Sequence, residues 1–170
     1  MKLSRDTQFL LRKIAIYFII IFAAALLQTS FLATLAPFGA VPDLMMLLAV
    51  GVGYFCTPAK GGVFGLAAGV VTYALGGLGF AALPFLYGTA GYLAGVVAKN
   101  LFKGNFVVWC LYATLGALFK AVYSLFCCAV FSGEFQLWVV LGHTVLPEFV
   151  GTILLGAALC VPIKKICTVL

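Results

Sequence analysis

The sequence predicts an all-α, polytopic membrane protein: a single integral membrane domain, residues 1–170, with six transmembrane helices in a compact bundle. Three observations carry that prediction. Of the 170 residues, 65% are hydrophobic and 8% charged, with a mean hydropathy of +1.25, whereas soluble domains carry about 25% charged residues. Apolar sequence continues from Ile14 to Ile163 with only brief polar breaks. The basic residues sit in small groups at the ends of the apolar runs. Four acidic and ten basic side chains cannot cover a water-soluble globule of this size, which excludes a soluble enzyme. The length of the apolar sequence excludes a single-span anchor.

The spans follow in order. Ile14 to Ala36 is long enough to cross a hydrocarbon layer of ~30 Å at about 1.5 Å per residue. Pro37-Phe38-Gly39-Ala40-Val41-Pro42 breaks it. A short second run, 44–56, ends at Thr57-Pro58-Ala59-Lys60-Gly61-Gly62. The third, 63–75, meets the turn Gly76-Gly77-Leu78-Gly79. The fourth, 80–98, closes at Lys99 to Asn105. The fifth covers 106–131, before Ser132-Gly133-Glu134 turns the chain. The sixth covers 137–163, before Lys164-Lys165.

Charge supports this count. With the N-terminus in the cytoplasm, six crossings place Lys2, Arg5, Arg12, Lys13, Lys60, Lys99, Lys103, Lys164 and Lys165 on the same side. Those are nine of the ten basic residues. Asp43 and Glu134 fall in outer loops that hold no Lys or Arg. This is the positive-inside pattern, and it predicts both termini inside. A signal-peptide reading of the basic start and Ala23-Ala24-Ala25 fits less well, because Leu26 to Ala36 stays apolar and cleavage would break the charge agreement.

The net charge of +6 does not point to nucleic acid, because the basic groups form no aromatic-interleaved stripe. The six cysteines contain no C-x-x-C pair and lie in or beside apolar stretches, where thiols act as small hydrophobes. Neither a disulfide framework nor a metal site is expected, and no cofactor. No paired carboxylates or nucleotide motif occurs, so no catalytic residue is assigned.

Gly61, Gly65 and Gly69 recur every four residues in the third span. Gly88, Gly91 and Gly95, with Ala94 and Ala98, line the fourth. Small residues at this spacing let helix backbones approach closely in lipid, where association depends on packing. An internal seam between spans three and four is expected.

Lys120 and Glu148 each lie 14 residues from Glu134 (134 − 120 and 148 − 134). Equal distance from the turn of an antiparallel hairpin means similar depth. A lone charge in the bilayer core costs at least ~2.5–3.5 kcal/mol, so an ion pair between spans five and six is expected, with a helix break at Pro147 as the rival. Exchanging the two charges should restore what either single reversal loses. Ser124 and His143 fall 10 and 9 residues from Glu134. No Gly-x-Ser-Gly turn exposes this serine for catalysis, so an interhelical hydrogen bond is the expectation.

Several segments, read in order, resemble the rod shape-determining MreD family of bacteria. They are Leu27-Gln28-Thr29-Ser30, then Phe38-Gly39-Ala40-Val41-Pro42-Asp43-Leu44-Met45-Met46-Leu47-Leu48, and Gly61-Gly62-Val63-Phe64-Gly65-Leu66-Ala67-Ala68-Gly69. Gly76-Gly77-Leu78-Gly79, Gly91-Tyr92-Leu93-Ala94-Gly95 and Leu146-Pro147-Glu148 follow. The resemblance covers nearly the whole chain through loose motifs whose order carries the weight. The family commonly has an Asp near the outer end of the third span, and Thr72-Tyr73 stands there instead. Gln28, Pro42 and Asp43 match and are expected to be sensitive to substitution.

The resemblance implies a non-enzymatic scaffold subunit of the cell-wall elongation machinery, in the bacterial cytoplasmic membrane. Its partners would be MreC and, through it, MreB filaments, RodA and a class B penicillin-binding protein. It also implies a fold similar to the substrate-binding (S) subunits of energy-coupling-factor vitamin transporters, and such a subunit is the alternative function. Those subunits tend to dock through an Ala-x-x-x-Ala face on the first span, and no Ala pair at that spacing occurs between Ile14 and Ala36. The short loop between spans one and two is also a poor cap for a solute pocket.

Overall fold

A computed structural model describes residues 5–35, 40–75, 82–100, 105–131 and 141–169, and all of the regular structure among them is helical. Helix α1 (Arg5–Leu26) runs on through a π-helical stretch, Leu27–Leu32, into a last α turn, Ala33–Leu35. Then come α2 (Leu44–Phe55), α3 (Pro58–Ala74), α4 (Leu83–Asn100) and α5 (Phe106–Phe131). A second π-helical turn, Leu141–Val145, leads into α6 (Leu146–Val169).

Three helical stretches are long and apolar enough to cross a membrane: Ile14–Leu32, Phe106–Val130 and Leu141–Cys167. With 12, 17 and 18 residues, α2, α3 and α4 fall below that measure in length or hydropathy. Their packing explains the difference. Helix α2 is apolar all round, the pattern of a helix with neighbours on every side. It touches α1, α3, α4, α5 and α6, and every residue from Leu44 to Tyr54 is buried. The large exposed apolar side chains lie elsewhere, including Phe18 on α1, Val107 on α5 and Leu154 on α6, all at least 67% exposed. So broad an apolar exterior suits hydrocarbon surroundings and not water.

The break between α2 and α3 is shorter than the expected Thr57–Gly62. Only Cys56 and Thr57 interrupt the helices. Pro58 opens α3, where its missing N–H costs nothing, and the Thr57 hydroxyl accepts from the Lys60 N–H at 3.4 Å. Lys60 and Gly61 are therefore helical. At the other end Lys164 and Lys165 do not follow the last helix but lie within it. Pro147 makes no break: the π-helical turn just before it gives the slack in hydrogen bonding that a proline needs. The expected turns at 37–39, 76–79 and 132–134, with Glu134 and Lys103, lie outside the described residues.

The expected glycine seam is wider than two helices. A Cβ on Gly61 would sit 2.6 Å from the Gly91 carbonyl oxygen, and it would also strike the Gly53 backbone. One on Gly65 would lie 2.6 Å from the Tyr87 carbonyl carbon, and one on Gly69 would lie 2.5 Å from Pro84 Cα. Gly95 meets Pro58 Cα at 2.5 Å and Gly88 meets Leu66 at 2.8 Å. Backbone thus packs on backbone along α3 and α4, and Gly53 draws α2 into the same contact. Helices α5 and α6 are joined in part by Trp109, fully buried, whose Nε1–H donates to the Gly156 carbonyl at 2.8 Å.

Candidate functional site: a buried charge cluster

Asp43, which the sequence assigns to an outer loop, is 1% exposed. Its extended backbone places it as the N-cap of α2, and its Oδ1 accepts from the Met46 N–H at 3.0 Å. A cap is needed because the first N–H groups of a helix have no internal partner. The same carboxylate accepts the Tyr87 hydroxyl of α4 and pairs with the Lys120 ammonium of α5.

Lys120 also pairs with Glu148 of α6, as its register in the hairpin predicts. The ammonium is therefore shared by two carboxylates from two different helices. The Thr152 hydroxyl links the acids: it accepts from the Asp43 N–H at 3.0 Å and donates to the Glu148 carbonyl at 2.7 Å. Four elements converge here because Lys120 lies in mid-helix on α5 while α2 begins inside the bundle. Lys120 and Glu148 keep 18% and 19% exposure.

The other expected positions fall around this cluster. Gln28, within the first π-helical stretch, accepts the Met45 N–H on its Oε1 at 3.2 Å and so serves a second orphan donor of the same helix start. Pro42 is buried against Gly151 of α6, whose added Cβ would come 2.9 Å from the proline ring. Gly61, Gly65, Gly69, Gly91 and Gly95 belong to the seam and take no part. Thr72 donates to its own helix, to the Ala68 carbonyl at 2.9 Å, and Tyr73 is exposed.

The sequence reasoning missed Tyr87 and Thr152, which carry no charge to betray their depth. It also missed the inward reach of Asp43, although Pro42-Asp43 ahead of an apolar run is the signature of a helix cap. The hydrogen bond expected between Ser124 and His143 does not occur among the described residues, and His143 is exposed. No described cysteine forms a disulfide.

The arrangement can hold helices in register, but it leaves little space for a ligand. The gap lined by Asp43, Lys120, Glu148 and Thr152 has about 10 Å³, room for roughly one water. Larger grooves lie between α4 and α5, about 370 Å³, and between α1 and α3, about 410 Å³. Among the described residues no group of three or more His, Cys, Asp or Glu is placed to hold a metal ion. No protein-family model, curated protein or solved structure matches this chain significantly.

Proposed function

We propose that this chain is a non-enzymatic scaffold subunit of the bacterial cell-wall elongation machinery, of the MreD kind, with six spans and both ends in the cytoplasm. On this reading it sits in the cytoplasmic membrane and helps maintain rod shape. It would associate with MreC and, through MreC, with MreB, RodA and a class B penicillin-binding protein. Helices α2, α3 and α4 would complete the six crossings.

The observation that carries the reading is the convergence of Gln28, Pro42, Asp43 and Glu148. These residues come from three separate segments of the resemblance, and all four meet at the start of α2. A cluster of this kind fixes how helices pack, which is what a scaffold needs from its interior.

The test is to tag the protein in its native host, solubilise the membranes gently and identify co-purifying proteins by mass spectrometry. Recovery of MreC with RodA or a penicillin-binding protein is the expected outcome. Recovery of a transporter coupling subunit with its ATPases would overturn the scaffold reading in favour of the vitamin-transport alternative.

A further inference from the structure

The groove between α1 and α3 holds about 410 Å³. Exposed side chains form its rim, Ile14 and Phe18 on α1 and Val63 on α3, and buried Ile21 and Phe64 lie at its floor. Lys60 is the one charged side chain in its lining among the described residues. The Tyr17 ring lines it too, with the hydroxyl buried.

Two contacts fix how the groove is oriented. Tyr17 meets Phe64, near the start of α3, with ring centroids 5.7 Å apart. Gln28 meets Met45 at the start of α2, and α2 ends beside the start of α3, where Gly53 faces Gly61. Helices α1 and α3 therefore run in the same direction. Lys13 and Lys60 each stand four residues before that ring pair, and equal rise sets the two positions at one level. Phe18, Ile21 and Val63 lie beyond that level, so the groove is basic at one end and apolar along the rest. The groove between α4 and α5 is of similar size, about 370 Å³, and has no charged residue in its lining among the described residues.

We propose that the α1–α3 groove binds an anionic phospholipid, with one acyl chain between the helices and the phosphate at the Lys60 ammonium. The lining matches such a molecule end for end. A lysine in the first turn of a membrane helix reaches toward the interface, where the headgroups lie, and it favours an anionic headgroup over a zwitterionic one. The positive end of the α3 dipole adds to the same field. A partner helix fits less well, because α1 and α3 touch through the Tyr17–Phe64 pair and leave a cleft, not the gap of about 10 Å that a helix fills. The proposal needs only a membrane-embedded chain and does not rest on the scaffold reading.

The experiment reconstitutes the full chain into phosphatidylcholine vesicles. These carry a trace of either phosphatidylglycerol or phosphatidylcholine with a photoreactive diazirine in one acyl chain. After illumination, lipid adducts are mapped to residues by mass spectrometry. Adducts at Phe18 and Val63 are expected about fivefold more often from the phosphatidylglycerol probe, with no preference along the α4–α5 groove. Lys60→Gln should remove the preference and Lys60→Arg should keep it. Equal labelling of Phe18 and Val63 by the two probes in the unaltered protein would overturn the proposal, whether or not the variants fold. So would the absence of any lipid adduct there, since something other than lipid would then fill the groove. A preference that survives Lys60→Gln would overturn it as well, because the headgroup would then be held elsewhere.

Discussion

The Lys120 ammonium of α5 pairs with Asp43, the residue that caps the first turn of α2. One carboxylate thus does two jobs, satisfying the start of a buried helix and neutralising an intramembrane cation. Lys120 in turn is fixed by Glu148 on the opposite side, so α2, α5 and α6 share a single electrostatic junction.

Removing the Asp43 carboxylate should cost more than removing its charge. Asp43→Ala leaves the Met46 N–H, the Tyr87 hydroxyl and half of the Lys120 pairing without a partner, and is expected to lose about 3–5 kcal/mol. Asp43→Asn keeps an acceptor for the cap and leaves Lys120 balanced by Glu148 alone, so it should lose less. Thermal unfolding in detergent, with the two variants compared side by side, gives the order. An Asn variant as unstable as the Ala variant would contradict it.

Exchange of the hairpin charges, expected from sequence to be restorative, takes a different sign once Asp43 is included. Lys120→Glu places a new carboxylate against the buried Asp43, and Glu148→Lys does not remove that repulsion. The double exchange should therefore recover only part of what Lys120→Glu loses. Adding Asp43→Asn should recover at least about 1 kcal/mol, since contacting charges couple by that order. Full recovery by the double exchange alone would show that Asp43 is not part of the junction.

Neighbouring glycines of α3 should respond in opposite ways. Gly61→Ala drives a methyl into the backbones of α2 and α4 and should cost about 1–3 kcal/mol, the usual range for overpacking. Gly62→Ala meets nothing nearer than 3.5 Å and should be neutral, or stabilising by up to about 1 kcal/mol through helix propensity. Melting temperatures of the two variants, one residue apart, test the seam directly.

Trp109→Phe keeps the aromatic packing against Tyr54 and Phe55 but loses the hydrogen bond to Gly156. A loss of about 1–3 kcal/mol is expected, combining the missing bond with unfilled volume. Retention of full stability would mean that the bond contributes nothing to joining α5 and α6.

What could be read from the sequence alone was whatever depends on local composition and on equal spacing. Apolar runs placed the helices, and α5 was bounded at 106–131 because polar residues close both of its ends. Four-residue glycine spacing pointed to the α3–α4 contact, since that period selects one helical face. Equal distance from Glu134 brought Lys120 opposite Glu148, because antiparallel helices rise at the same rate. Helix starts were less legible: Pro58 was read as part of a break although proline also opens helices.

Only the tertiary structure decided that α2 is central, that Gly53 belongs to the seam, and that Asp43 reaches both Lys120 and Tyr87. Those contacts join residues far apart in sequence, and they depend on where α2 begins relative to α5 and α6. No periodicity encodes that offset. It is set when side-chain volumes pack and buried polar groups find partners, so an acid that looks like part of a loop becomes the innermost charge of the bundle.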